Sequence, residues 1–181
     1  MPPHRTNHRA NIAALAAEGF MDVVSLNSVG SLRPQLMPGV FVSCADYVDL
    51  QAGPTTFGDD EIRGGAPGIA NNLLAKIVSG CAPEFTIATG QTYVQTRGPR
   101  FETKAEIRVI RHWGDVVGMT LAHEADLCTE AGVRCTSLGM VDNYANGIEN
   151  ASLDLMKFKR LVHENQTRVD GFIARLLEVL A

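Results

Sequence analysis

No two cysteines stand at C-x-x-C spacing; Cys44, Cys81, Cys128 and Cys135 fall at other intervals. Neither a zinc ribbon nor a dithiol redox motif is indicated, and four reduced, buried thiols are the plain reading. A basic excess is also missing: 16 Lys and Arg face 20 Asp and Glu, for a net charge of −4. Without a positive field to steer it, the chain is ill suited to general nucleic-acid or membrane-surface binding, which leaves small molecules as the expected partners. No apolar run approaches the length of a membrane span, and Met1-Pro2-Pro3-His4-Arg5 lacks the apolar core of a signal peptide, so a cytoplasmic location is expected. His123-Glu124 opens an H-E-x-x-H string that fails at Leu127, and no metal site is expected. The loop Gly64-Gly65-Ala66-Pro67-Gly68 lacks the Lys-Ser/Thr ending of a phosphate cradle and follows Asp59, Asp60 and Glu61; it reads as surface. Repeats and low-complexity tracts are absent.

What is present is an alternation of helical and strand patterns in 181 residues, 45% of them hydrophobic. That length buries a sizeable core, and the alternation predicts α/β architecture, a mixed central sheet flanked by helices on both faces. Helices are expected over 7–19, 69–78, 105–113, 121–131 and, with one long apolar stripe, over 155–179. Strands are expected over 22–26, 40–44, 85–89, 92–96, 115–118 and 133–142, the pair 85–89 and 92–96 turning at Gly90. A polar loop rich in Gly, Pro and Asp fills 51–68, with Pro67 near the start of the following helix.

The stretch Arg97 to Glu124 carries the densest chemistry. Gly98-Pro99 breaks regular structure and presents Phe101 and Glu102, and a short apolar strand then delivers Met119 and Thr120 to a helix start. Free N–H groups at such a start suit an anion, and open α/β sheets collect ligands beyond the carboxyl ends of their strands. Three polar strand ends, Asn27-Ser28, Met119-Thr120 and Asp142-Asn143, are therefore expected to converge on one crevice with Phe101 and Glu102. Taken singly, a Phe is most often core, a Thr a helix cap and an Asn a turn former. The combination suits a flat, polar-edged, phosphate-dependent substrate.

The strings NSVGSL at 27–32, GPRFETKAE at 98–106, GDVVGMT at 114–120 and NYANG at 143–147 resemble the trimeric purine nucleoside phosphorylase and methylthioadenosine (methylthioinosine) phosphorylase family. PHRTNHRANIAAL near the start and the final helix fit it too. The resemblance implies phosphorolysis of a 6-oxopurine nucleoside (inosine, guanosine or 5′-methylthioinosine) in purine salvage, with phosphate as co-substrate, no cofactor, and a homotrimeric assembly. It implies Asn143 as the catalytic donor beside purine N7, Phe101 against the base, Glu102 at the base edge and Met119 beneath the ribose. Thr120, Asn27 and Ser28 match positions that touch phosphate or ribose. In the methylthioadenosine enzymes an Asp matches Asn143 and a small hydroxyl residue matches Glu102, which makes methylthioadenosine phosphorolysis the alternative. Leu155, Met156 and Phe158 read either as an apolar methylthio pocket or as core.

The sequence departs from that family as well. Relatives carry an N-terminal glycine-rich strand-turn and an Arg-His-Gly segment for phosphate, and the match here begins at Pro2-Pro3-His4-Arg5. Residues 1–181 are thus read as a single nucleoside phosphorylase domain, N-terminally truncated, with the first sheet strands missing. Weak phosphate binding follows, with a catalytically impaired purine-binding remnant as a further alternative. Arg97, where the family often has Glu, and His123, where it usually has Pro, lie at the rim, and Arg97 or Arg100 is the candidate substitute cation.

Overall fold

The computed structural model describes residues 2–50, 55–58, 65–66, 68–149 and 155–181. Most of the loop 51–68 lies outside them, including Asp59, Asp60, Glu61, Gly64 and Pro67.

After a short 3-10 turn at Pro3–Arg5, Asn7 starts the first helix by accepting the Ala10 N–H on its side chain at 3.0 Å; α1 then runs His8–Ala17. Two apolar-rich strands follow, β1 at Asp22–Ser31 and β2 at Phe41–Val48. Helix α2 occupies Leu74–Cys81, later than its apolar stripe predicts. The delay has a local cause, because Asn71 sits at a positive φ of 51° and ties the preceding segment to the sheet. Its N–H donates to Cys135 O, its amide donates to Cys44 O at 2.8 Å, and its side-chain oxygen accepts from Ser137 N at 2.9 Å.

The turn expected at Gly90 is instead a bulge in one continuous strand, β3 at Ile87–Gln95. Gly90 takes a φ of 76°, and the strand stays on β2 before and after it with a shifted register, Ala88 opposite Val42 and Gln91 opposite Cys44. A residue free to adopt positive φ inserts one position without reversing the chain. Helix α3 at Lys104–Ile110 starts in a reciprocal capping box between Thr103 and Glu106. Strand β4 at Val116–Gly118, helix α4 at Leu121–Ala131, strand β5 at Arg134–Tyr144 and the 26-residue helix α5 at Leu155–Leu180 complete the order. No helix among the described residues is long and apolar enough to cross a membrane.

The mixed α/β class is as expected, but the sheet is not open. It closes in the order β1-β4-β3-β2-β5, with β1·β5, β2·β3 and β3·β4 parallel and β1·β4 and β2·β5 antiparallel. Inside the closure Val29, Val42, Cys44, Tyr93, Val116, Leu121 and Val141 pack together. Outside it, α2 and α5 cover one side through Phe41, Ile77, Phe85, Met140 and Phe172, the Phe41 and Phe172 rings stacked at 3.9 Å. Helix α3 covers another through Ile107, Ile110 and Val117, and α1 with α4 a third through Ile12, Leu127 and Cys135. All four cysteines are free and buried, and burial pushes the Cys44 thiol up to about 12. That leaves it protonated and unreactive.

Closure also lengthens β1. Pairing in parallel with β5 from Asp22 to Ser31 and in antiparallel with β4 at Gly30 and Ser31, it absorbs the polar string NSVGS, whose alternate members Asn27, Val29 and Ser31 are buried. Asn27 and Ser28 are thus mid-strand, not at a strand end.

Candidate active site

Strand β4 ends in Gly118 because nothing larger fits: a Cβ there would lie 2.3 Å from the Tyr93 hydroxyl. That hydroxyl, fully buried on β3, accepts the Thr120 N–H at 3.1 Å and the Leu121 N–H at 3.4 Å. Gln95 Oε1, also fully buried, accepts the Ala122 N–H at 3.2 Å. The first N–H groups of α4 are therefore occupied from within the sheet. The expectation of an anion-ready helix start is corrected here, since the donors that would serve the anion already have partners. Tyr93 and Gln95, which sequence reasoning passed over as strand residues, do the capping that Thr120 does not: Thr120 makes no side-chain cap.

The Thr120 side chain turns to β1 instead. Its hydroxyl donates to Asn27 Oδ1, the Asn27 amide donates to Ser25 Oγ at 2.6 Å, and Ser25 Oγ donates to Glu124 Oε2. On the far side of Glu124, its Oε1 lies 3.4 Å from Nδ1 of His8. The hydrogen-bonded chain Thr120-Asn27-Ser25-Glu124 joins β1 and α4, and Glu124 brings it up to His8 at the start of α1 without a hydrogen bond to it. Neither residue is among the site residues the sequence suggests: Glu124 reads there only as part of a failed H-E-x-x-H string, and nothing in the spacing of His8 connects it to the site.

Strand alternation separates the other half of the expected pair. The Ser28 hydroxyl leaves β1 on the opposite face and donates to Asp142, whose second oxygen accepts from Asn165 of α5 at 2.9 Å. Ser28 is thus not brought together with Asn27 and Thr120. The same pairing fixes Asp142 and leaves its neighbour Asn143 on the other face of β5, 5% exposed and opposite Gly30. Gly30 leaves room for it, because a Cβ there would lie 3.3 Å from Asn143 Nδ2. One N–H of that amide donates to Tyr144 O at 2.9 Å; an amide nitrogen has two, and the second remains for a ligand.

The turn before α3 is anchored from both ends. Glu102 is 9% exposed, with Oε1 accepting the Thr96 hydroxyl at 2.6 Å. Its backbone O accepts from Asn146 Nδ2 at 2.9 Å, which holds residues 101–103 against the chain that follows Asn143. Phe101 packs edge to face on Phe158 of α5, ring centroids 5.1 Å apart. Gly98 is required by Met119, since a Cβ there would meet Met119 Sδ at 2.5 Å. So Phe101, Glu102, Met119 and Asn143 are each held by a distinct neighbour around the ends of β4 and β5.

A cavity of about 240 Å³ opens beside Met119 and is walled also by His4, His8, Arg9, Arg97 and His123. His123 Nδ1 lies 2.8 Å from the Thr55 hydroxyl, and the His8 and His123 rings are 5.4 Å apart. Burial, followed by the neighbouring His8, holds His123 below the ordinary histidine value. Of the two arginines named as a substitute cation, Arg97 lines this cavity, whereas Arg100 is clamped outside it by both oxygens of Glu106 at 2.7 and 2.8 Å. No group of three or more His, Cys, Asp or Glu among the described residues is arranged to hold a metal ion.

The family model for the phosphorylase superfamily matches residues 1–178. The chain belongs to the phosphorylase superfamily. It is 37% identical over 166 residues to a probable 6-oxopurine nucleoside phosphorylase of Archaeoglobus fulgidus, covering 91% of this chain and 68% of that protein. It is 36% identical over 184 residues to a probable S-methyl-5′-thioinosine phosphorylase of Methanocaldococcus jannaschii, covering 93% and 69%. Among solved structures, the methylthioadenosine phosphorylase of Schistosoma mansoni in complex with adenine superposes with a TM-score of 0.86 over 99% of this chain and 72% of that one. At 21% identity this last likeness is one of fold. This superfamily member thus spans about two-thirds of the length of the relatives it matches.

Proposed function

We propose that the protein is a phosphorylase of 6-oxopurine nucleosides, releasing the purine and forming ribose 1-phosphate or its methylthio analogue. The observation that carries the reading is the pairing of a buried carboxylate, Glu102, with a buried amide, Asn143, on two segments joined by the Asn146 to Glu102 bond. A 6-oxopurine offers N1–H as a donor and O6 as an acceptor, and a carboxylate and an amide complement that edge; adenine offers the reverse pattern. The Archaeoglobus relative, named for 6-oxopurine nucleosides, and the Methanocaldococcus relative, named for S-methyl-5′-thioinosine, support the same base.

In this reading Phe101 lies against the base and Met119 beneath the ribose. As phosphate attacks C1′, the C–N bond breaks and the sugar takes on oxocarbenium character while negative charge gathers on the purine. The free N–H of Asn143 donates towards N7, where it is worth more in the transition state than before it. Thr120 and Asn27 serve phosphate, and Ser28 acts one step removed by holding Asp142. Phosphate is the co-substrate, and no metal or other cofactor takes part. One domain spanning residues 1–181, working in the cytoplasm as a homotrimer, with no nucleic-acid or membrane partner, belongs to the same proposal.

The test is binding and turnover together. Hypoxanthine should bind more tightly than adenine by calorimetry, and inosine or 5′-methylthioinosine should be cleaved in preference to adenosine and methylthioadenosine. Asn143→Asp should cost the 6-oxo substrate about 2 to 4 kcal/mol of transition-state binding, the scale of one lost donor to developing charge. A parent protein that prefers adenine in both assays would overturn the assignment of the base.

A further inference from the structure

We infer that Thr96, the residue that follows β3, is a positioning residue that sets the choice of base: its hydroxyl holds Oε1 of Glu102 and leaves Oε2 for the N1–H of a 6-oxopurine. The inference rests on the reading of Glu102 as the group at the base edge, and deepens it by naming what fixes that group.

Thr96 is 3% exposed, and a valine would fill the same space without a polar atom to satisfy. The hydroxyl that stands there instead donates to Glu102 Oε1 at 2.6 Å. A second acceptor, Gly118 O, lies 3.3 Å from it. A hydroxyl has one proton, and the shorter contact, to a carboxylate, is the stronger of the two. The backbone that carries the hydroxyl is fixed on both sides. Thr96 N–H donates to Gly118 O at 2.8 Å, and Thr96 O accepts from the buried Gln95 amide at 3.3 Å. A β-branched side chain on a backbone held in this way has little freedom at χ1, so the sheet sets the direction of the hydroxyl.

Glu102 is held from the other side as well. Asn146 fixes its backbone O, Thr96 fixes Oε1, and Oε2 has no hydrogen-bond partner among the described residues. That leaves Oε2 as the oxygen with its lone pairs open to a ligand.

What this carboxylate can recognise depends on its proton. Ionised, Glu102 only accepts, and the N1–H of a 6-oxopurine is the matching donor. As the neutral acid, a glutamate donates to N1 of adenine from one oxygen while the other accepts from the 6-amino group. Thr96 works against that second arrangement in two ways. A hydrogen bond to an ionised oxygen is about twice as strong as one to a neutral oxygen, so the Thr96 contact is worth most when Glu102 carries its charge. Oε1, which adenine would need together with Oε2, is also already engaged. Base preference thus depends on a hydroxyl that acts through Glu102.

The experiment is calorimetry of hypoxanthine and adenine on the full 181-residue chain and on Thr96→Val, Thr96→Ala and Thr96→Ser. In the first two variants the ratio of hypoxanthine to adenine affinity should fall by about tenfold, the scale of one charge-assisted hydrogen bond. Thr96→Ser keeps the hydroxyl and should hold the ratio within about threefold of the parent. A change that only loosened packing would weaken both bases alike and leave the ratio in place. In a Glu102→Gln background, Thr96→Val should not move the ratio further, because the carboxylate through which Thr96 acts is gone. An unchanged ratio in Thr96→Val and Thr96→Ala, an equal fall in Thr96→Ser, or the same fall in the Glu102→Gln background would overturn the inference. A parent that prefers hypoxanthine beside any of those results defeats this inference alone. A parent that prefers adenine, or binds neither base, defeats the base assignment and this inference with it.

Discussion

Replacing Tyr93 with phenylalanine removes one oxygen from the interior of the closed sheet and tests how α4 is started. The ring is fully buried, so the phenyl replacement keeps its packing and its volume nearly unchanged. What disappears is the acceptor for Thr120 N–H at 3.1 Å and Leu121 N–H at 3.4 Å. Leaving a buried donor unsatisfied costs about 1 to 3 kcal/mol, and the longer bond adds little, so a loss near 2 kcal/mol is the working figure. In urea, with a slope of about 1 to 3 kcal/mol per molar, the unfolding midpoint should fall by roughly 1 M with the slope unchanged. Gly118→Ala attacks the same contact from the other side, placing a methyl 2.3 Å from the hydroxyl and 2.8 Å from Cζ. The clash is partly relieved once the hydroxyl is gone, so the two losses should add to less than their sum. A Tyr93→Phe midpoint within about 0.2 M of the parent would refute the capping argument, since a shift that small is a fraction of the cost of one unsatisfied donor.

Three further outcomes are expected. Thr103→Ala removes the capping box at α3 and should lower stability by about 1 kcal/mol in the same urea assay, shifting Glu102 through the adjoining turn. Arg100 and the Thr103 N–H hold the Glu106 carboxyl down to about 2, so its contribution is present above the usual value of 4.5 and is lost as pH falls towards 2; Glu106→Gln should remove that pH dependence from thermal melts. His123, depressed by burial and by His8, contributes stability that is full above about 6.5 and lost as pH falls below it, and His123→Gln should remove that pH dependence from thermal melts.

The pattern of the chain alone was enough for the α/β class, for α1, α3, α4 and α5 to within a few residues, and for β4 between its glycines, because each is bounded by a local signal: a cap, a Gly-Pro break or an apolar stripe. It was enough, too, to single out Phe101, Glu102, Met119, Thr120 and Asn143, which lie in short dense strings around turns. Tertiary structure decided the rest. Gly90 reads as a turn from its own neighbours, and only the presence of β2 along both halves of β3 makes it a bulge. Asn27 and Ser28 read as one polar strand end, and only the full-length pairing of β1 with β5 shows them facing apart. The start of α4 reads as open to an anion, yet Tyr93 and Gln95, more than 20 positions upstream, close it. His8 and His123 are 115 positions apart with no spacing to connect them, and a cavity between the first helix and the fourth brings them within ring contact. Local propensity and periodicity are carried by near neighbours, whereas closure of the sheet, strand register and the charge that gathers in a cavity depend on residues that meet only after the chain has folded.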